Sequence, residues 1–216
     1  MRDKRKDSQY FESYISTEYD RLSKFEEKRK TLDNTEKVDL YISTISMNIL
    51  MGEFSSGANK DTLYSAYKRV IAFCKKPSYE DILRVLSFAV LFEDKSDILS
   101  FIESNDAVIR KDKLLGIIAN YIVTDKYCVS KEYIAESLYS QLNVFFNAKT
   151  KDEKEIALIE YMENWYENSK EASWYDSLNN ANNVYYGYWC FEAAALASIY
   201  ELNIESLSNN QYFPCI

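Results

Sequence analysis

The segment Tyr185–Tyr200, YYGYWCFEAAALASIY, constrains the fold of this chain more than any other. It opens with aromatics around Gly187 and runs into Glu192-Ala193-Ala194-Ala195-Leu196-Ala197, a strong helix former with almost no side-chain bulk. Small residues let a neighbouring helix approach closely, and Gly187 can adopt a backbone geometry that other residues resist. Glu192 is the one charge inside this apolar helix, and a buried carboxylate requires partners. The segment reads as a central core helix, with Gly187, Tyr188, Trp189, Phe191 and Glu192 as its structural motif. Glu192 is expected to hydrogen-bond inside the core rather than face a partner.

The remaining sequence is also helical in pattern. Asp33 with Glu36 three residues on resembles a capping box, followed by Val38, Tyr41, Ile42, Ile45 and Ile49 on one face, with Gly52 to Gly57 closing that helix. Leu63, Tyr67, Val70, Ile71 and Cys74 form the next stripe, which ends at Pro77. Ser78 can cap a helix in which Ile82 to Phe92 is apolar almost all round, the mark of a central position. Further helices are expected over Ser96–Ser104, Lys113–Thr124, Ser130–Asn147 and Lys151–Asn168. No segment alternates with period two between hairpin turns, so strands are not expected. The prediction is an all-α array of about eight to ten mostly antiparallel helices. The best candidate junction lies at Asn105–Asp112, giving an N-terminal half (1–110) and a C-terminal half (111–216) of one continuous globular unit.

Two absences restrict the chemistry. The chain has no histidine, which removes Ser-His-Asp and Cys-His catalysis and any His-ligated metal site. It has four glycines, so neither GxGxxG nor a Walker loop exists. No enzyme constellation, cofactor site or metal site is expected. The four cysteines are scattered, as in a reducing compartment, with Cys215 the one expected to be exposed. No apolar run approaches membrane-spanning length, and the polar start Met1–Lys6 does not fit a usual signal peptide. A cytoplasmic protein with no membrane contact is expected, and Arg2, Lys4, Arg5 and Lys6 read as a solvated tail.

Charge is uneven. Residues 1–30 carry nine basic and seven acidic side chains, net +2, and residues 31–151 carry fifteen against sixteen, net −1. Residues 152–216 carry two basic against eleven acidic, net −9. Nucleic-acid binding needs the opposite sign, because Lys and Arg at phosphates supply most of its affinity, so direct nucleic-acid contact is disfavoured. At about 100° per residue, Glu153, Glu160, Glu163, Glu167 and Glu171 fall within an arc of about 80° if the helix runs that far. Leu158, Ile159, Met162, Trp165 and Tyr166 occupy the opposite, core-facing arc. The carboxylate stripe reads either as a solvated face or as a surface shaped to meet a basic partner. A carboxylate di-iron site would normally recruit EXXH histidines, which this chain lacks.

Ten aromatics lie between Tyr161 and Phe191, including all three tryptophans. Most must be core, but Trp174, Tyr175, Tyr185 and Tyr186 flank an Asn-rich, loop-like stretch (Asn179, Asn180, Asn182, Asn183). With Asp176 beside them they are candidate anchors of a binding patch; the competing reading is a loop folded back over the core.

Three motifs in order carry a family resemblance: Trp174-Tyr175-Asp176-Ser177, then Gly187-Tyr188-Trp189-x-Phe191-Glu192-Ala193-Ala194-Ala195, then Tyr212-Phe213-Pro214. From about Met162 onward the chain resembles the PoNi family, immunity proteins that bacteria pair with PoNe-type DNase toxins. It departs from the family pattern at Leu178, where members often carry His soon after the WYDS-like run, and at Pro214-Cys215-Ile216, where many continue to an Asp. The resemblance implies a protein partner, a cognate nuclease toxin, neutralised by binding rather than by catalysis. The candidate partner-binding residues are then Glu160, Glu163, Glu167, Glu171, Trp174, Tyr175 and Asp176. The alternative is a helical adaptor or scaffold with no toxin partner. Oligomeric state is not legible.

Overall fold

The structure, a computed structural model, describes residues 1–124, 126–172, 174–177 and 185–216. Leu178 and the Asn-rich stretch singled out above fall outside the described residues. Among the described residues there are twelve helices and no strands, so the all-α expectation holds and the count of eight to ten was low. The chain divides into two units: residues 1–78 with 176–187, and residues 79–175 with 188–216.

In the first unit, α1 (Ser8–Lys30), α2 (Glu36–Ser56) and α3 (Lys60–Phe73) pack in sequence order, α2 against both neighbours. Sequence reading assigned no helix to α1. Asp7 caps it through Tyr10 N, and Lys28, Arg29 and Lys30 in its last turn complement the helix dipole. Its buried stripe is Phe11, Tyr14, Glu18 and Leu22. Gly52 lets α2 approach that stripe: a Cβ there would meet Ile15 Cγ1 at 3.0 Å. The Asp33–Glu36 capping box does not form. Thr35 is the N-cap without a side-chain bond, Asn34 Oδ1 accepts from Glu36 N, and α2 ends at Gly57 with φ +98°.

The N-terminal residues are not a solvated tail. Arg2 N and Asp3 N donate to Ser55 O at 2.9 and 3.0 Å, and Arg2 Nη1 donates to Phe54 O and Ala58 O at 3.0 Å. These bonds tie the N-terminal segment to the last turn of α2 and the residues just after it. Asp3 is buried and accepts from Arg5 Nε at 2.8 Å. Tyr185 reaches the same carboxylate, donating to Asp3 Oδ2 at 2.5 Å with Ser55 Oγ at 2.6 Å, while its ring packs edge-on to Phe11 at 5.1 Å.

In the second unit, α4 (Tyr79–Phe92) is buried continuously from Ile82 to Val90, as its all-round apolar sequence requires. It packs on α7 (Lys113–Val123) and α11 (Phe191–Ile199), with Phe88 and Phe191 at 4.6 Å. Residues 105–112 lie inside this unit and carry α6 (Asp106–Ile109), just after α5 (Leu99–Ser104). The helix expected over Ser130–Asn147 is broken into α8 (Glu136–Tyr139) and α9 (Leu142–Asn147). The buried Asp112 explains why no helix forms before Glu136: it caps α7 through Leu115 N and also accepts from Ile134 N, both at 2.8 Å, while Lys113 N donates to Glu132 O. These bonds hold residues 132–134 in a non-helical path. The chain continues into α10 (Lys151–Asn168) and closes with α12 (Ile204–Leu207). Cys128 as well as Cys215 is exposed, where only Cys215 was expected to be.

Candidate partner interface

The candidate site is built on α10. Thr150 and Glu153 form its capping box: Thr150 Oγ1 accepts from Glu153 N at 3.2 Å, and Glu153 Oε2 accepts from Thr150 N at 3.1 Å and Lys149 N at 2.7 Å. Those backbone donors hold the Glu153 carboxyl below the usual carboxylate range. Glu153 is thus occupied in starting the helix. From this fixed start, Ala157, Leu158, Tyr161, Met162 and Trp165 turn into the core.

On the opposite side Asp152, Glu160, Glu163 and Glu167 are exposed, together with Ile156 at 59%. Among the described residues Asp152, Glu160 and Glu163 form no ion pair, while Glu167 pairs with Lys170 at 2.8 Å. The Glu167 carboxylate in turn raises the Lys170 ammonium pKa. The stripe is therefore not free of cations at that end. The helix stops at Asn168, so Glu171 is exposed in the following turn, not on the helical stripe, and lies 3.5 Å from Ser137 Oγ. Lys154 points away from the carboxylates. It donates to Phe145 O and lies 4.8 Å from the ring centroids of Phe145 and Tyr200, where desolvation lowers its pKa.

The aromatics sort by burial. Trp174 is 7% exposed and stacks on Trp165 at 4.9 Å. Tyr175 is half-buried and stacks on half-buried Tyr166 at 4.6 Å, and Tyr166 also meets Tyr188 at 5.1 Å and Tyr212 at 6.0 Å. Asp176 is exposed, with φ +59°, and belongs to the first unit. Tyr185 is buried in the Asp3 network. In the core motif, Gly187 takes φ +81°, Tyr188 and Trp189 are buried, and Glu192 Oε1 accepts from Tyr161 Oη at 2.7 Å and Trp165 Nε1 at 2.8 Å. The structure thus brings Glu160, Glu163 and Glu167 onto one exposed face. Beside them is a shelf of Tyr166 and Tyr175, and beneath is a packed layer that contains Trp174 and Glu192. Ile156 was missed by sequence reading, although its position at the centre of the carboxylate arc was legible from helical spacing.

No group of three or more His, Cys, Asp or Glu is placed to hold a metal ion among the described residues. No helix among them is long and apolar enough to cross a membrane.

Residues 110–215 match the family model described as PoNe immunity proteins (PoNi), C-terminal. The resemblance carried by the three motifs is borne out and extends well upstream of Met162. No curated protein sequence matches the chain. Among solved structures it is similar to protein PA2201 from Pseudomonas aeruginosa, at 15% identity and a TM-score of 0.77, over 96% of this chain and 86% of that one. That likeness is one of fold.

Proposed function

We propose that this chain, whose residues 110–215 belong to the C-terminal family of PoNe immunity proteins, binds a PoNe-type DNase toxin and neutralises it in the cytoplasm. The observation that carries the reading is the exposed carboxylate face of α10 inside the family's own segment. A DNase must be basic where it grips phosphate. The net charge of −9 over residues 152–216 competes for that surface, and occupation by a folded helical face excludes DNA. The surrounding carboxylates raise the association rate and set partner choice, while a few desolvated contacts hold the complex. No catalytic step is needed; inhibition is stoichiometric.

The test is survival of a bacterial host expressing a cognate PoNe-type nuclease, with and without the chain. Rescue by the wild type, lost in Glu163→Lys/Glu167→Lys, supports both immunity and the face. Rescue that survives the reversal keeps immunity and removes the face. Death in the presence of folded wild-type chain refutes the pairing.

A further inference from the structure

Ile156 is 59% exposed on α10. It lies about 160–180° around α10 from Leu158 and Trp165, which already fill the core-facing side. Helical spacing places Glu163 and Glu167 within about 20° of it and Asp152 and Glu160 within about 40°. An isolated exposed aliphatic residue is ordinary. Ile156 is not isolated, because half-buried Ile159 and Tyr166 continue along the helix about 60–80° to one side, and Tyr175 stacks on Tyr166 at 4.6 Å. Ile156 therefore sits within the anionic stripe, with a half-buried apolar flank of Ile159, Tyr166 and Tyr175 to one side.

Resting on the immunity reading above, we propose that this ridge is the docking surface and Ile156 its apolar anchor. Its partner is a toxin element that sets an apolar side chain beside lysines or arginines. The division of labour follows from range. Carboxylates act on the approaching partner from a distance, and so govern association. Ile156 acts only once water is expelled, and so governs dissociation. The cations on and just beyond α10 do not compete for the middle of this surface: Lys151 pairs with Glu201, Lys154 is turned toward Phe145 and Tyr200, and Lys170 meets Glu167 past the helix end. Charge complementarity selects a basic partner over a second copy of this acidic chain.

The experiment is binding kinetics between the purified full chain and a cognate PoNe-type nuclease, at several salt concentrations. Ile156→Asp is the decisive variant because it adds a carboxylate to the stripe. A purely electrostatic face predicts equal or tighter binding. The ridge predicts a dissociation rate raised about tenfold or more, with the association rate within about twofold of wild type. Ile156→Leu should dissociate like wild type. Glu163→Gln/Glu167→Gln should slow association and flatten its salt dependence while leaving dissociation near wild type. Because Ile156 is exposed, thermal melting of each variant should match wild type and separate a binding defect from misfolding. Unchanged dissociation in Ile156→Asp, with the wild type binding, overturns the ridge alone. Absence of wild-type binding overturns the immunity reading with it. A self-association lost in Ile156→Asp, with toxin kinetics intact, assigns the ridge to a second copy and overturns the proposal.

Discussion

Trp174 stacks on Trp165 with ring centroids 4.9 Å apart and planes 22° apart. Trp165 also donates its indole N–H to Glu192 and meets Tyr212 at 5.3 Å. One residue of each of the three separated motifs therefore converges on a single side chain of α10. This convergence gives a physical reason for the motifs to occur together: they are parts of one packed layer beneath the exposed carboxylates. Trp174→Ala should destabilise the chain by about 3–5 kcal/mol in urea unfolding, through the lost ring and the cavity it leaves.

Glu192 receives two buried donors on one oxygen. Glu192→Ala leaves the Tyr161 hydroxyl and the Trp165 indole N–H without that acceptor and should cost about 2–5 kcal/mol. Tyr161→Phe removes one donor and should cost about 1–3 kcal/mol. A tryptophan-fluorescence unfolding curve checks both, with the smaller loss expected for Tyr161→Phe.

Burial raises the phenol pKa of Tyr14, Tyr79, Tyr161 and Tyr185 above its ordinary value, with the carboxylates of Glu18, Asp112, Glu192 and Asp3 respectively adding to the shift. Tyr127 is pushed up to about 12. A group whose folded pKa lies above its unfolded value stabilises the fold fully below the unfolded pKa of about 10. That contribution is lost as pH rises from there through the folded value. The chain should therefore unfold cooperatively in alkali, with a block of tyrosines ionising only on unfolding. Ultraviolet titration of phenolate would contradict this if every tyrosine ionised smoothly near its ordinary value.

Tyr185 ties the N-terminal segment to the end of α2 through Asp3 and Ser55. Tyr185→Phe should cost about 1–3 kcal/mol, because Asp3 loses a donor in a buried site. Faster amide exchange at Arg2 and Asp3, both of which donate to Ser55 O, should accompany the loss.

Glu163→Gln should change stability by less than about 0.5 kcal/mol, since its side chain is exposed and forms no ion pair among the described residues. The same substitution should lower the rate of association with the nuclease, most visibly at low salt.

Where the determinants were local, the sequence disclosed the fold. Lys151–Asn168 was bounded correctly because its apolar arc and Thr150–Glu153 cap are written in eighteen residues and their flank. The continuous burial of α4 follows from Ile82–Phe92 alone. By contrast, α1 buries only four side chains over 23 residues, so its amphipathic signal is weak among many charges. The non-helical path before Glu136 depends on Asp112, and Tyr185 finds Asp3 across 182 residues of sequence. No local pattern announces such partners. On the candidate face the acidic arc was legible from spacing. The burial of Trp174 was not, because it is set by packing after α10 ends.

The most direct test is DNA cleavage by a cognate PoNe-type nuclease, titrated with purified chain. The account predicts cleavage falling to background near one equivalent, with Glu163→Lys/Glu167→Lys requiring a large excess. Undiminished cleavage in the presence of excess folded wild-type chain would contradict it.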